Sequence, residues 1–448
     1  LAEYLTFNFV IGENTLFKGI KQLQPGHCLV IEDNQIKKNC YWDVNYEIDW
    51  DHREEWFQEK LHCMLDDSIR LHLRSDVEVG AYLSGGIDSS LMAILSSKEN
   101  SANCESFHGR FLEYPGYDES KYAQFAASEY GGNLNIIDIK SHHFRDNLEK
   151  VIYHLDYPVA GPGSFPQFMV SKLAAEKVKV VLGGQGGDEI FGGYTRYLLA
   201  YFEQCINAAI DGTYKNGNFV VTIESIIPNL GILREYKPMM REFWREGLFG
   251  SLDERYFRLI NRSSDMEKEI DWGELNKEHV FESFRKIFLN KANVRQGAYF
   301  DHMTHFDLKT LLPALLQVED RMSMAHGLES RVPLLDHELV ELIATAPADI
   351  KFSGGNMKHL LKQTYQGTLP DTILNRRDKM GFPVPLKEWL GNELKDMVQD
   401  IFYGMKQKNR PFINSDEVLS NFQSAGRFSR KVWSLMSLEI WHQTFHDR

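Results

Sequence analysis

Hydrophobic positions fall into two regimes along the chain. Between residues 77 and 182, short apolar runs alternate with longer stretches in which apolar residues recur at helical spacing. The runs 77–83, Cys104–Phe111, Leu134–Ile139 and 178–182 have the length and the β-branched or aromatic content of strands. Asp118–Tyr130, 143–155 and 165–177 read as helices, and a further helix starts at Leu91-Met-Ala-Ile-Leu95. Strands alternating with helices predict an α/β fold with a parallel sheet wound on both faces. From about 195 to 350 the strand pattern thins out and aromatic-rich helical pattern takes over, as in Tyr236-Lys-Pro-Met-Met-Arg-Glu-Phe-Trp244. That predicts a large helical region packed on the sheet, its aromatic and methionine side chains forming core. The polar stretch Asp49–Glu55 is the best linker candidate, and no internal repeat or long low-complexity tract breaks the chain.

Two strand ends run into glycine. Val79-Gly-Ala-Tyr-Leu83 is followed by Ser84-Gly-Gly-Ile-Asp-Ser-Ser90 and then by a helix. Adjacent glycines let the backbone approach an anion, and hydroxyls with the orphan N–H groups of a helix start can hold it. Asp88 would repel phosphate by itself; it fits if a magnesium ion lies between carboxylate and phosphates. No Gly-Lys-Ser/Thr is present, so the loop is not the common P-loop. A Ser/Gly surface turn with a helix-capping Asp is the plainer alternative. The second strand, 178–182, leads into Gly183-Gly-Gln-Gly-Gly-Asp-Glu-Ile-Phe-Gly-Gly-Tyr194. Asp188 could supply a second magnesium carboxylate, or cap a helix starting near Glu189.

Composition narrows the classes. At 448 residues and 43% apolar, the chain can fill two or three domains with a sizeable core. Sixty-three acidic residues against 50 basic ones give a net charge of −13, which argues against a nucleic-acid-binding surface. Cys28, Cys40, Cys63, Cys104 and Cys205 are scattered and odd in number, without a CxxC pair. This reads as a reduced, cytoplasmic chain with no metal at cysteine. No apolar run has the length of a membrane span, and no signal peptide is visible.

The septet at 84–90 resembles the PP-loop of ATP pyrophosphatases, with the adenine nucleotide alpha hydrolase-like fold that this implies. With Ser75-Asp-Val-Glu-Val-Gly-Ala-Tyr-Leu83 before it, the stretch is similar to the synthetase domain of glutamine-dependent asparagine synthetases. Three later segments agree in order and spacing: Glu319-Asp-Arg-Met-Ser-Met-Ala325 leading into Leu328-Glu-Ser-Arg-Val-Pro-Leu-Leu-Asp336, Lys358-His-Leu-Leu-Lys362, and Arg377-Asp-Lys-Met-Gly-Phe-Pro-Val-Pro385. The likeness runs from about residue 55 to near the C-terminus. Thr15-Leu-Phe-Lys-Gly-Ile20, Leu23-Gln-Pro-Gly-His27 and Tyr41-Trp42 resemble the last strands of the family's N-terminal glutaminase domain. That domain normally begins with Met-Cys; this chain opens at Leu1, so most of the glutaminase is expected to be missing. The implied organisation is a β remnant at 1–50 and a synthetase-like domain at 51–448. The latter divides into a nucleotide-binding core at 55–195 and a mainly helical acceptor side at 196–448.

The resemblance implies a carbon–nitrogen ligase that works in two steps. A substrate carboxylate attacks the α-phosphate of ATP, releasing pyrophosphate, and ammonia then displaces AMP from the acyl-adenylate. On this pattern Ser84, Gly85, Gly86, Ser89 and Ser90 cradle the pyrophosphate, and Asp88 and Asp188 hold magnesium. Leu83, Gly109, Gly183 and Gly184 flank the adenosine, and Lys358 meets the charge developing at the α-phosphate. Without the other motifs, Lys358 would read rather as an exposed lysine at a helix start. Arg331 and Asp336 read as structural, and Arg376-Arg-Asp-Lys379 as a solvated turn with phosphate contact open to Lys379. The implied partners are aspartate or an analogue and ammonia from a glutaminase domain, with a homodimer left open.

Two positions depart from the pattern. Gln185 stands where asparagine synthetases usually have an acid, and Arg110 where glycine is common. A carboxamide cannot take a proton from ammonium, and a positioned base contributes about 10²–10⁴ in rate. The resemblance implies aspartate as acceptor, whereas the two departures point to a divergent branch that amidates another carboxylate, such as a uronic acid in a surface polysaccharide. A non-catalytic nucleotide-binding relative is the third alternative; Ser84–Ser90, Asp188 and Lys358 count against it.

Overall fold

The computed structural model describes residues 1–99, 104–211, 237–245, 250–294, 299–376, 383–422 and 430–447. Its centre is a sheet of five parallel strands in the order β5-β4-β3-β6-β7: β3 (Val79–Tyr82), β4 (Glu105–Arg110), β5 (Asn133–Asp138), β6 (Val180–Leu182) and β7 (Glu329–Arg331). Parallel neighbours need crossovers, and helices supply them. Ile87–Glu99 joins β3 to β4, Ser120–Tyr130 joins β4 to β5, and Ser141–His154 with Ser164–Ala175 returns the chain to β6. The strands and crossover helices expected between 77 and 182 are present, with ends shifted by a few residues.

Both faces of the sheet are covered, as side-chain alternation requires. Ala81 and Leu182 belong to a core shared with helices Glu54–His72, Ile87–Glu99, Ser120–Tyr130, His337–Thr345 and His359–Thr364. Phe107 and Val181 point the other way, against Val170 and Ala174 of the helix Ser164–Ala175. β7 was not foreseen: Glu-Ser-Arg has no apolar pattern. It pairs with β6 at the sheet edge through Val180↔Glu329 and Leu182↔Arg331, and Arg331 donates to the carbonyls of His72 (2.7 Å) and Arg74 (2.9 Å). Asp336 caps the next helix by accepting from Glu338 N at 3.0 Å.

The chain lays down β3, β4 and β5 in one direction, then returns to place β6 and β7 on the other side of β3. The switch point lies between β3 and β6, which pair in register through Ala81↔Leu182. In open α/β sheets the crevice beyond the strand ends at such a point is where ligands bind. Both glycine loops leave the sheet there.

The second half is helical, as expected, and its largest core is aromatic: Tyr197, Phe243, Tyr256, Phe284, Phe288, Phe306 and Trp433 are among its members. Residues 1–11 join this core, with Tyr4, Leu5 and Phe7 from the helix Ala2–Phe7. β1 (His27–Glu32) and β2 (Gln35–Cys40) form an antiparallel hairpin whose residues are almost all exposed. Tyr236 lies outside the described residues, while Lys237–Phe243 is helical. The five cysteines form no disulfide. Among the described residues no helix is long and apolar enough to cross a membrane.

Candidate active site

The first loop is tied by its own hydroxyls. Ser89 Oγ lies 2.8 Å from Ser84 Oγ and accepts from Ser84 N at 3.1 Å, while Gly86 N donates to Ser84 Oγ at 3.3 Å. Gly85 takes φ of 74°. Ser90 opens the helical ladder by donating N–H to Gly86 O (3.0 Å); its hydroxyl is fully buried and without a partner among the described residues. Leu83 is buried and receives a hydrogen bond at its carbonyl from the His108 ring (2.8 Å), one residue before Gly109 on β4.

The second loop presses against the first. A Cβ at Gly184 would stand 2.9 Å from both Asp88 Cβ and Ser89 N, so only glycine permits this approach. The short helix Gly187–Phe191 is capped by Gly186, which leaves Asp188 within the first turn rather than at the cap. At the far end, a Cβ at Gly193 would collide with Asp188 Oδ1 and with Lys358 Cε.

Lys358 is the keystone of the arrangement. Its ammonium lies 2.5 Å from Asp88 Oδ2 and 2.5 Å from Asp188 Oδ1, and it is 5% exposed. It is therefore not an exposed helix-start lysine, although it does precede the helix His359–Thr364. Burial works against its charge, but Asp188 and Asp88 outweigh burial and raise its pKa, so the site keeps a cation at neutral pH. Its backbone is left-handed, with φ 58° and ψ 36°, a strained setting for a residue with a side chain. Three residues far apart in sequence thus meet at the switch point.

Position 185 has a companion that sequence reasoning missed. Gln185 Nε2 donates to Glu319 Oε2 at 3.2 Å, and Ser330 Oγ donates to Glu319 Oε1 at 2.7 Å. Glu319 is 4% exposed, and a Cβ at Gly183 would stand 2.7 Å from its Oε1. Burial pushes its carboxyl above the usual range, with the Ser330 and Gln185 hydrogen bonds opposing. Arg110, the other departure, is held by Asp138 of the neighbouring strand at 2.5 Å. Arg376 corrects an expectation. It is no solvated turn residue: it donates to Gly85 O at 3.0 Å, pairs with Glu119 and lies 3.8 Å over the Tyr122 ring. Residues 377–382, with Lys379, lie outside the described residues.

Asp88 and Asp188 already converge on one cationic centre, and hard carboxylate oxygens beside a phosphate loop are the donor set that magnesium takes with nucleotides. The residues present therefore fit the ion. Among the described residues no group of three His, Cys, Asp or Glu side chains forms a cage able to hold a metal without such phosphates.

A parallel sheet with two glycine loops meeting over a lysine and two aspartates defines a nucleotide-using α/β enzyme. Sequence comparison makes the class specific: a family model for asparagine synthase matches residues 60–443. The chain belongs to the asparagine synthase family of ATP-dependent carbon–nitrogen ligases. It is 29% identical to asparagine synthetase [glutamine-hydrolyzing] 1 of Bacillus subtilis, over 99% of this chain and 68% of that protein. A putative asparagine synthetase of Mycobacterium bovis is 28% identical over 99% of this chain and 67% of its own length. The amidase chyE of Penicillium rubens is 23% identical over 87% of this chain and 62% of its own.

Proposed function

We propose that the chain makes an amide from the side-chain carboxylate of aspartate through an acyl-adenylate. The observation that carries this reading is the meeting of Lys358 with Asp88 and Asp188 between the two glycine loops. In this reading Ser84, Gly85, Gly86, Ser89 and Ser90 receive the β- and γ-phosphates, and Leu83, Gly109, Gly183 and Gly184 border the adenosine. Asp88 and Asp188 would hold magnesium, which supplies charge neutralisation across the phosphates when bound. Lys358 turns from the aspartates to the α-phosphate, where negative charge grows as the acceptor carboxylate attacks and pyrophosphate leaves.

The second step forms a C–N bond, breaks the bond from the acyl carbon to the AMP oxygen and releases one proton. Gln185 cannot accept that proton. Glu319, hydrogen-bonded to Gln185, can, and burial raises its proton affinity above that of an ordinary carboxylate. Glu319 thus stands in for the acid absent from position 185, with Gln185 orienting its carboxylate. Residues 1–50 are in this reading the end of a glutaminase domain, and ammonia from such a domain, or free ammonia, is the nitrogen donor. A different acceptor, such as a uronic acid, would use the same phosphate side; Gln185 is the residue that favours it.

The test is AMP and pyrophosphate release from ATP with magnesium and ammonium across a panel of carboxylates. Aspartate-dependent release with stoichiometric asparagine is the expected result. Release with a uronic acid and none with aspartate would transfer the reading to that acceptor, and no release with any carboxylate would overturn it.

A further inference from the structure

The first glycine loop has a weakness that comes with its glycines. Gly85 and Gly86 let the backbone come close to an anion, and the same freedom lets the peptide between them turn over. That peptide is trans, so the Gly85 carbonyl and the Gly86 N–H point in opposite directions. Gly86 N donates to Ser84 Oγ at 3.3 Å, and Ser84 Oγ lies 2.8 Å from Ser89 Oγ. The amide thus lies on the hydroxyl side of the loop and the Gly85 carbonyl on the other. Were the peptide to turn over, a carbonyl dipole would face any phosphate seated among those hydroxyls.

Arg376 holds that carbonyl out. Its Nη1 donates to Gly85 O at 3.0 Å, and its Nη2 donates to Glu119, which precedes the helix Ser120–Tyr130. The guanidinium lies 3.8 Å over the Tyr122 ring of the same helix, and the Arg376 side chain is only 3% exposed. The helix also presses on the loop directly. A Cβ at Gly85 would stand 2.5 Å from Tyr122 Cβ and 2.7 Å from Ala123 N. Gly85 is therefore gripped twice, at its α-carbon by the helix and at its carbonyl by Arg376.

The grip has a firm base. Ile373 and Leu374 of the short helix Asp371–Leu374 are buried in the core that also takes Leu91 and Leu95, from the helix after the loop, and Ala123. Arg376 follows two residues later, its N–H donating to Ile373 O at 3.3 Å. The place suits a guanidinium fork: one arm meets a carbonyl, the other a carboxylate, and the group rests on an aromatic face. A lysine ammonium, a point charge on a flexible stem, cannot meet all three in that geometry.

We infer that Arg376 is a positioning residue for the outer phosphates of the nucleotide: by holding Gly85 O away, it keeps the Gly86 N–H turned toward them. The inference rests on reading residues 84–90 as the phosphate loop. It adds to that loop a residue 291 positions away, which acts through the backbone and does not touch the nucleotide.

The test compares two nucleotides on the full chain. Titration calorimetry is run with α,β-methylene-ATP and with AMP, which lacks the outer phosphates, both in the presence of magnesium. Arg376→Met should weaken the triphosphate by about 10-fold or more and leave AMP within about twofold, because only the outer phosphates meet the loop. Arg376→Lys should recover part of the loss. Glu119→Gln, which loosens one arm and keeps the guanidinium, should show a smaller loss with the same preference for the triphosphate. Triphosphate affinity unchanged in Arg376→Met overturns the positioning role and leaves the phosphate-loop reading standing. Equal weakening of both nucleotides also overturns it, since that marks a residue supporting the fold as a whole. A parent that binds the triphosphate no better than AMP sinks the phosphate-loop reading itself, and the role of Arg376 with it.

Discussion

The two glycine loops, which we read as the phosphate side, and the helical half, which we read as the acceptor side, are built in opposite ways. The phosphate side is made of two contiguous runs, 84–90 and 183–193, each a strand end, glycines and a helix start, with Lys358 added from afar. The acceptor side is assembled from single residues on separate helices, as where Arg196, Tyr197 and Tyr256 gather on Asp307. Phosphates look alike in every nucleotide, so one local backbone device serves. An acceptor is recognised by where its charges stand apart, and spacing two charges takes residues from different parts of the fold.

The largest effect is expected at Lys358. Lys358→Met should lower aspartate-dependent ATP–pyrophosphate exchange by about 10³-fold or more, with Lys358→Arg recovering part of it. Exchange within tenfold of the parent would mean that the two sides do not divide the chemistry as described. Glu319→Gln should lower amide formation by about 10²-fold while exchange stays within a few-fold, because adenylation needs no base at that position. Measured from pH 6.5 to 9, its amide formation should climb more steeply with pH than the parent's. Equal profiles would leave Glu319 a purely structural carboxylate.

Gly193→Ala tests the seam between the two sides. The new methyl meets Asp188 Oδ1 and Lys358 Cε, and the resulting shift should reduce exchange by about 10²-fold. Retained aspartate binding in this variant would show that the acceptor side keeps its form when the phosphate side is displaced.

The smallest effect concerns stability of the helical half. Burial pushes His305 down to about 4, with Lys309 acting the same way and Asp43 opposing. Its folded pKa lies below the unfolded value near 6.5, so between those values the unfolded chain binds more protons. Stability is then full above about pH 6.5 and falls as pH drops toward 4, by up to about 3 kcal/mol. Unfolding midpoints from pH 7.5 to 4.5 should fall less in His305→Gln than in the parent; parallel curves would remove His305 from the acid response.

What could be read in the sequence follows the same division. The parallel sheet, the crossovers and both loops are local patterns, so periodicity and glycine spacing reveal them. β7 has three polar residues and exists because β6 offers an unpaired edge. Glu319 lies on a buried helical face with Val318, Met322 and Ser323; a lone carboxylate on that face was the available signal. Arg376 reads as a solvated charge until Gly85 and Glu119 are brought to it. The cluster of Arg196 and Tyr256 on Asp307 leaves no trace in sequence because its members lie on separate segments.

The ammonium between two carboxylates also constrains how the chain can drift through mutation. Asp88 and Lys358 are 270 positions apart in the chain, yet Lys358 is a buried counter-charge for Asp88 as well as for Asp188. Removing Lys358 takes the shared counter-charge from buried Asp88 and from Asp188, and breaking a buried pair typically destabilises by about 3–5 kcal/mol, whereas neutralising Asp88 at the same time is milder. A lineage abandoning catalysis would therefore pass through a poorly folded intermediate unless both sites changed at once. Asp88→Asn combined with Lys358→Met should unfold at a higher temperature than Lys358→Met alone while remaining inactive. Foldability itself thus holds this ion cluster in place, even while selection on function is relaxed.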